Sequence, residues 1–169
     1  MAAAEPVVYA TRATALGRLL IAATPKGVCA IALGVDDEQL LAEWRREFPQ
    51  AAIAQNNTQL REWLNVVARQ IEGEQSDISL PLDIRATQFQ QRVWDELRAI
   101  PRGETRSYTQ IAKQIGRPSA VRAVASACAS NRIAVAIPCH RVVRGSGDLS
   151  GYRWGVERKR ALLERERGA

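Results

Sequence analysis

The chain has 169 residues, 46% of them apolar and 25% charged, with a formal net charge of +6 and three cysteines. That balance is the one expected of one ordinary globular domain or two small lobes. It also excludes several classes: no apolar run is long enough to cross a bilayer, the first dozen residues lack the basic and apolar tandem of a secretory leader, and Cys29, Cys128 and Cys139 form no disulfide framework. A cytoplasmic protein with free thiols is the expectation. The charge is uneven. Residues 1–80 hold 7 Lys+Arg against 10 Asp+Glu, a net of −3, and residues 81–169 hold 17 against 8, a net of +9. A basic half beside a mildly acidic one favours contact with a polyanion, although scattered arginines that only solvate a surface give the same sum.

In chain order, residues 7–10, 17–23 and 28–33 read as strands, the last two separated by Pro25, Lys26 and Gly27 as a turn. Asp36, Asp37 and Glu38 open a helix with Leu40, Leu41, Trp44 and Phe48 at helical spacing, and Pro49 ends it. A second helix covers about 58–72, with Leu60, Leu64, Val67, Ala68 and Ile71 on one face. Cys29 lies in an apolar strand and reads as a small buried structural residue. This is an α/β lobe, assigned to residues 1–80, without a catalytic constellation.

A linker over 76–82 leads into residues 81–169. Thr87 to Gln90 forms a capping box that opens a helix through Val93, Trp94 and Leu97. Ser107 to Gln110 forms another, opening a short helix through Ile111 and Ile115. Gly116, Arg117 and Pro118 break it. A third helix covers about 119–130 and ends near Asn131, a residue that tolerates left-handed backbone angles. Residues 145–148 make a turn, and 156–167 form a charged closing helix. The pair 107–115 and 119–130 has the proportions of a helix-turn-helix. Its second member is unusually smooth: Arg122 is its one long side chain among alanines, valines, serines and Cys128. Base readout in the major groove needs forked polar side chains, so this helix suits a close, sequence-indifferent approach to a groove with Arg122 as a probe. Tight packing between helices would also favour small residues; the surrounding charge favours nucleic acid.

The stretch 137–143 reads Ile-Pro-Cys-His-Arg-Val-Val and holds His140, the one histidine, directly after Cys139. Structural zinc takes about four Cys and His ligands; one histidine and three scattered cysteines argue against it, and no metal or cofactor is expected. A cysteine nucleophile needs a base and an oriented partner, and the base can only be His140. Neighbours in an extended strand face opposite ways, so contact needs a bent backbone or an intervening water, and Pro138 makes a shaped loop plausible. Chemistry alone favours a reactive Cys139 and leaves its reaction open. A non-enzymatic DNA-binding regulator and a cysteine-dependent hydrolase both stay in view.

The stretch 138–143 resembles the active-site signature of the O6-alkylguanine-DNA alkyltransferases, the methylated-DNA–protein-cysteine methyltransferases. Further likeness follows in the family's order at 89–94, 100–105, Ser107-Tyr108, Arg122-Ala123-Val124 and 149–155, the last most like the C-terminal domain of the bacterial adaptive-response proteins. It is strong from about residue 82 onward and looser before. The resemblance implies a small ribonuclease H-like α/β lobe followed by a mostly helical lobe with a winged helix-turn-helix-like DNA-binding motif. It implies Cys139 as an acceptor that takes an alkyl group from guanine O6 once and irreversibly, and O4-alkylthymine as a further substrate. By the same resemblance, His140 is expected to draw the thiol proton through water, Glu166 to orient His140, and Tyr108 to hydrogen-bond the extruded guanine and help it leave. Asn131 is a hinge between recognition helix and active-site loop, Ser150 borders the pocket as a donor to O6, and Arg122 fills the stack vacated by the flipped base, a device the buried lesion requires. The smooth helix faces the minor groove, with Ala123, Ser126 and Ala127 as contacts, while Cys128 reads as packing. The implied partner is double-stranded DNA containing O6-alkylguanine, bound by a monomer with no membrane association. Residues 1–80 hold one cysteine, so the zinc-bound cysteine cluster of the longer members is not expected; the chain is a free-standing alkyltransferase or a fragment.

Overall fold

The computed structural model describes residues 6–49, 52–55, 58–73, 79–149 and 151–168. They form two compact units, divided after Ile84. In the first, β1 (Pro6–Thr14), β2 (Gly17–Thr24), β3 (Gly27–Gly34) and β4 (Ala52–Gln55) make one sheet in the order β3-β2-β1-β4. The first three pair antiparallel through short turns, and β4 joins β1 in parallel, Pro6 opposite Ala52. β4 was not anticipated. Its four residues carry no alternation, and its partner lies more than forty positions upstream, so only the tertiary pairing defines it.

Leu19 to Ala23 of β2 are all buried, and a strand with both faces buried needs cover on both sides. α1 (Asp37–Glu47) is capped by Asp36, whose side chain accepts from the Gln39 amide, and sets Leu40 and Trp44 in a cluster with Leu20, Ala22 and Cys29. α2 (Thr58–Ile71) lies against β1 and β2 and buries the five residues expected of its apolar face. The described end of the 76–82 linker does more than connect. Val28 donates to Pro81 O and Asp83 donates to Val28 O, each at 2.8 Å, so this stretch adds to β3. The approach is close enough to require Gly27: with φ at +144°, a Cβ there would stand 2.6 Å from Pro81 O.

In the second unit, α3 (Gln88–Arg98) and α4 (Tyr108–Gln114) each begin with the expected capping box, both reciprocal bonds present. α5 (Val121–Ala129) starts two residues later than expected, after a turn in which Ala120 donates to Arg117 O, and without a side-chain cap. α3, α4 and α5 pack together, and the Trp94 indole donates to Ala127 O at 2.8 Å across α3 and α5. A parallel pair of two-residue strands, β5 (Arg106–Ser107) and β6 (Val142–Val143), ties the start of α4 to the cysteine loop. α6 (Val156–Gly168) ends the unit, with Lys159, Leu162, Leu163 and Glu166 buried. No helix among the described residues is long and apolar enough to cross a membrane.

Candidate active site

Cys139 does not lie in an extended strand. Residues Cys139–Arg141 form one 3-10 turn, and only the following Val142–Val143 is β. The bend that neighbours of opposite facing require is therefore built in, after Pro138 with φ near −81°. The loop before it is tight and strained: Val135 holds φ at +69°, a region a β-branched residue occupies at a cost of order 1–3 kcal/mol.

Asn131, fully buried, over-determines this loop. Its Nδ2 donates to Ile137 O at 2.9 Å and to Cys139 Sγ at 3.3 Å, while its Oδ1 accepts from the Ile133 amide at 2.9 Å. Arg153 donates to the Asn131 carbonyl at 2.9 Å. One asparagine at the end of α5 thus fixes both the loop and the sulfur.

His140 is fully buried, and its Nε2 lies 3.0 Å from Glu166 Oε1. A carboxylate only accepts, so Nε2 carries the proton and Nδ1 is left as the basic nitrogen. Nδ1 has no hydrogen-bond partner among the described residues. Burial pushes the histidine below its ordinary value, against the opposing pull of Glu166, so it is a neutral base at pH 7. Burial alone would raise Glu166; the hydrogen bonds from His140 and Arg141 outweigh it and hold the carboxyl at about 2.

Burial pushes the Cys139 thiol up to about 11, with the Asn131 hydrogen bond and the charge of Lys159 pulling the other way. At pH 7 the free thiolate is then only about one part in ten thousand, so the thiol depends on a base to react. Burial also raises Cys128, well above any reactive range, as a packing residue requires.

Cys139 lines a cavity of about 600 Å³ together with Tyr108, Arg122, Ala125, Cys128 and Tyr152, a volume suited to a small aromatic group. Arg122, Ala123, Ser126 and Ala129 of α5 are exposed and make one smooth face. Ala127 does not belong to that face: it is 2% exposed and turned inward beside Val124 and Cys128 by helical spacing, and it meets Trp94. The structure thus brings Cys139, His140, Glu166, Asn131, Tyr108 and Arg122 together, and Ser150 lies outside the described residues.

Three further residues were missed. Arg141 is buried against Glu166. Lys159 is fully buried close to Cys139 and Cys128, and burial lowers it from its ordinary value. Tyr152 lines the pocket with its hydroxyl buried and without a hydrogen-bond partner among the described residues. A signal existed for Lys159: positions 159, 162, 163 and 166 share one helical face, and two charged residues on an apolar stripe mark a functional face.

The two units and this site define a class, that of proteins in which a buried thiol opens into a pocket beside a helix-turn-helix. Residues 7–84 match the ribonuclease-like domain, and residues 88–168 the DNA-binding domain, of 6-O-methylguanine DNA methyltransferase. The chain is 53% identical over 94% of its length to the bifunctional transcriptional activator/DNA repair enzyme Ada of Escherichia coli, covering 45% of that protein. It is 37% identical to the inducible methylated-DNA–protein-cysteine methyltransferase of Bacillus subtilis, over 88% of this chain and 84% of the relative. Against the crystal structure of Mycobacterium tuberculosis OGT in complex with DNA the TM-score is 0.82, with 37% identity and 95% and 93% of the two chains covered. The chain belongs to the 6-O-methylguanine DNA methyltransferase family. It spans about half the length of the Ada-type relatives it matches.

Proposed function

We propose that this protein repairs double-stranded DNA by moving an alkyl group from guanine O6, and from thymine O4, to the Cys139 sulfur, once per chain. The observation that carries this reading is the open Nδ1 of a neutral His140, backed by Glu166, beside a thiol that cannot ionise by itself. The Cys139 proton passes through solvent to Nδ1 as sulfur attacks the alkyl carbon. The carbon–O6 bond breaks in line, its electron pair stays with the base, and Tyr108 supplies a hydrogen bond to the leaving guanine. A thioether and a guanine anion result, and one proton taken up from solvent, the equivalent of the one given to His140, restores the unmodified guanine. Asn131 holds the sulfur, and the cation of Lys159 favours its developing negative charge.

The lesion is inside a duplex, so the base is extruded into the pocket. The smooth face of α5 approaches the minor groove through Ala123 and Ser126, and Arg122 fills the gap in the stack. The first unit serves as scaffold, and the second carries both DNA binding and the acceptor. The protein acts as a cytoplasmic monomer without metal or cofactor.

The test is stoichiometry. Mixed with excess duplex DNA carrying O6-methylguanine, the protein should restore one guanine per chain in a burst and then stop. Continued turnover would point to a hydrolase, and tight binding with no repaired base to a regulator; either overturns the proposal.

A further inference from the structure

Glu166 serves two partners at once. His140 Nε2 lies 3.0 Å from Oε1. Arg141 Nε stands 3.1 Å from each carboxylate oxygen, and its Nη2 closes on Oε2. The remaining Nη1 of Arg141 donates to Ile100 O at 2.8 Å, which anchors the guanidinium to the end of α3. All three side chains are buried.

A carboxylate facing only a histidine in a dry site stabilises the imidazolium; an opposite charge at that distance raises a base by about 1–3 units. Such a pull works against the effect of burial on His140 and leaves less of the histidine unprotonated to take the thiol proton. A guanidinium is charged at every accessible pH and matches both oxygens of a carboxylate, so it neutralises Glu166 while leaving one oxygen within reach of Nε2. The charged groups that act on His140 are Glu166 and Lys159 from α6 and Arg141 from its own turn; α3, also packed against that turn, contributes none. Lys159 pushes in the same direction as Arg141.

We infer that Arg141 is a positioning residue for the transfer: by gripping both oxygens of Glu166 it leaves the carboxylate able to orient His140 and too well neutralised to charge it, so that His140 meets the thiol as a base. The geometry stands alone; its consequence for rate rests on the alkyltransferase reading of Cys139.

The chain has a single histidine, so an NMR titration of the untagged protein reports His140 without ambiguity. The wild-type midpoint should lie below 6.5, the ordinary histidine value; a midpoint at or above it overturns the inference with no variant needed. Arg141→Gln should raise the midpoint by about one unit, and Arg141→Lys, which keeps the charge and loses the fork, by a few tenths. A midpoint that stays or falls in whichever variant folds also overturns it. The acid limb of single-turnover methyl transfer should move in the same order. If the NMR order holds and no methyl is transferred, the functional reading fails and the positioning role stands; transfer without the NMR order sinks the positioning role alone.

Discussion

Asn131 uses both ends of its amide on the cysteine loop, with Oδ1 receiving the Ile133 amide and Nδ2 reaching the Ile137 carbonyl and the Cys139 sulfur. A hydrogen bond to a developing thiolate is worth about 1.5–3 kcal/mol, so Asn131→Ala should slow single-turnover transfer by roughly 10- to 100-fold. Orphaning a buried amide and carbonyl should also lower the thermal midpoint. An unchanged rate in a folded variant would remove Asn131 from the site. The same residue scale sets the pH response. His140 and Glu166 both lie below their ordinary values when folded, so the unfolded chain binds protons more readily. The stability from Glu166 is complete above its unfolded value of 4.5 and fades as pH falls toward about 2. That from His140 is complete above 6.5 and fades as pH drops toward its lower folded value. Acid titration followed by circular dichroism should therefore show weakening that begins near 6.5, and Glu166→Gln should flatten the part below 4.5.

At the scale of the element, α5 separates two faces by helical spacing alone: Val124, Ala127 and Cys128 inward, Arg122, Ala123, Ser126 and Ala129 outward. If the outward face approaches the groove and Arg122 replaces a flipped base, Arg122→Ala should slow repair in duplex DNA about tenfold or more and leave reaction with free O6-alkylguanine nearly unchanged. Equal losses on both substrates would contradict the intercalating role. The helices were legible because each carries its own start signal and period; both capping boxes formed as written, and α1 is capped by Asp36. What escaped depends on distant pairing. β4 exists because β1 offers an edge, and the turn at Cys139–Arg141 exists because Asn131 holds the loop before it. Ala127 was misplaced because a smooth run of alanines does not announce which face is buried, whereas Trp94 settles it.

Across the whole molecule, the acidic and basic halves fall on different units, and the chemistry gathers in the basic one. Sequence spacing set Cys139 beside His140, but the carboxylate bonded to His140 Nε2 lies 26 positions away on α6, and the guanidinium that grips the same carboxylate sits one position away, hidden within the signature itself. Cys139, His140 and Glu166 were readable through likeness to a family; Arg141 and Lys159 needed the fold, because their meaning lies in burial. The account stands on one bond, between the Cys139 sulfur and a carbon that began on DNA. Intact-mass and peptide mass spectrometry after incubation with duplex DNA containing O6-methylguanine measures it directly. The expected result is a gain of one methyl per chain, mapped to the peptide bearing Cys139 and absent from Cys139→Ser. An unmodified chain, or a methyl found on Cys128 or retained by the Cys139→Ser variant, would contradict it.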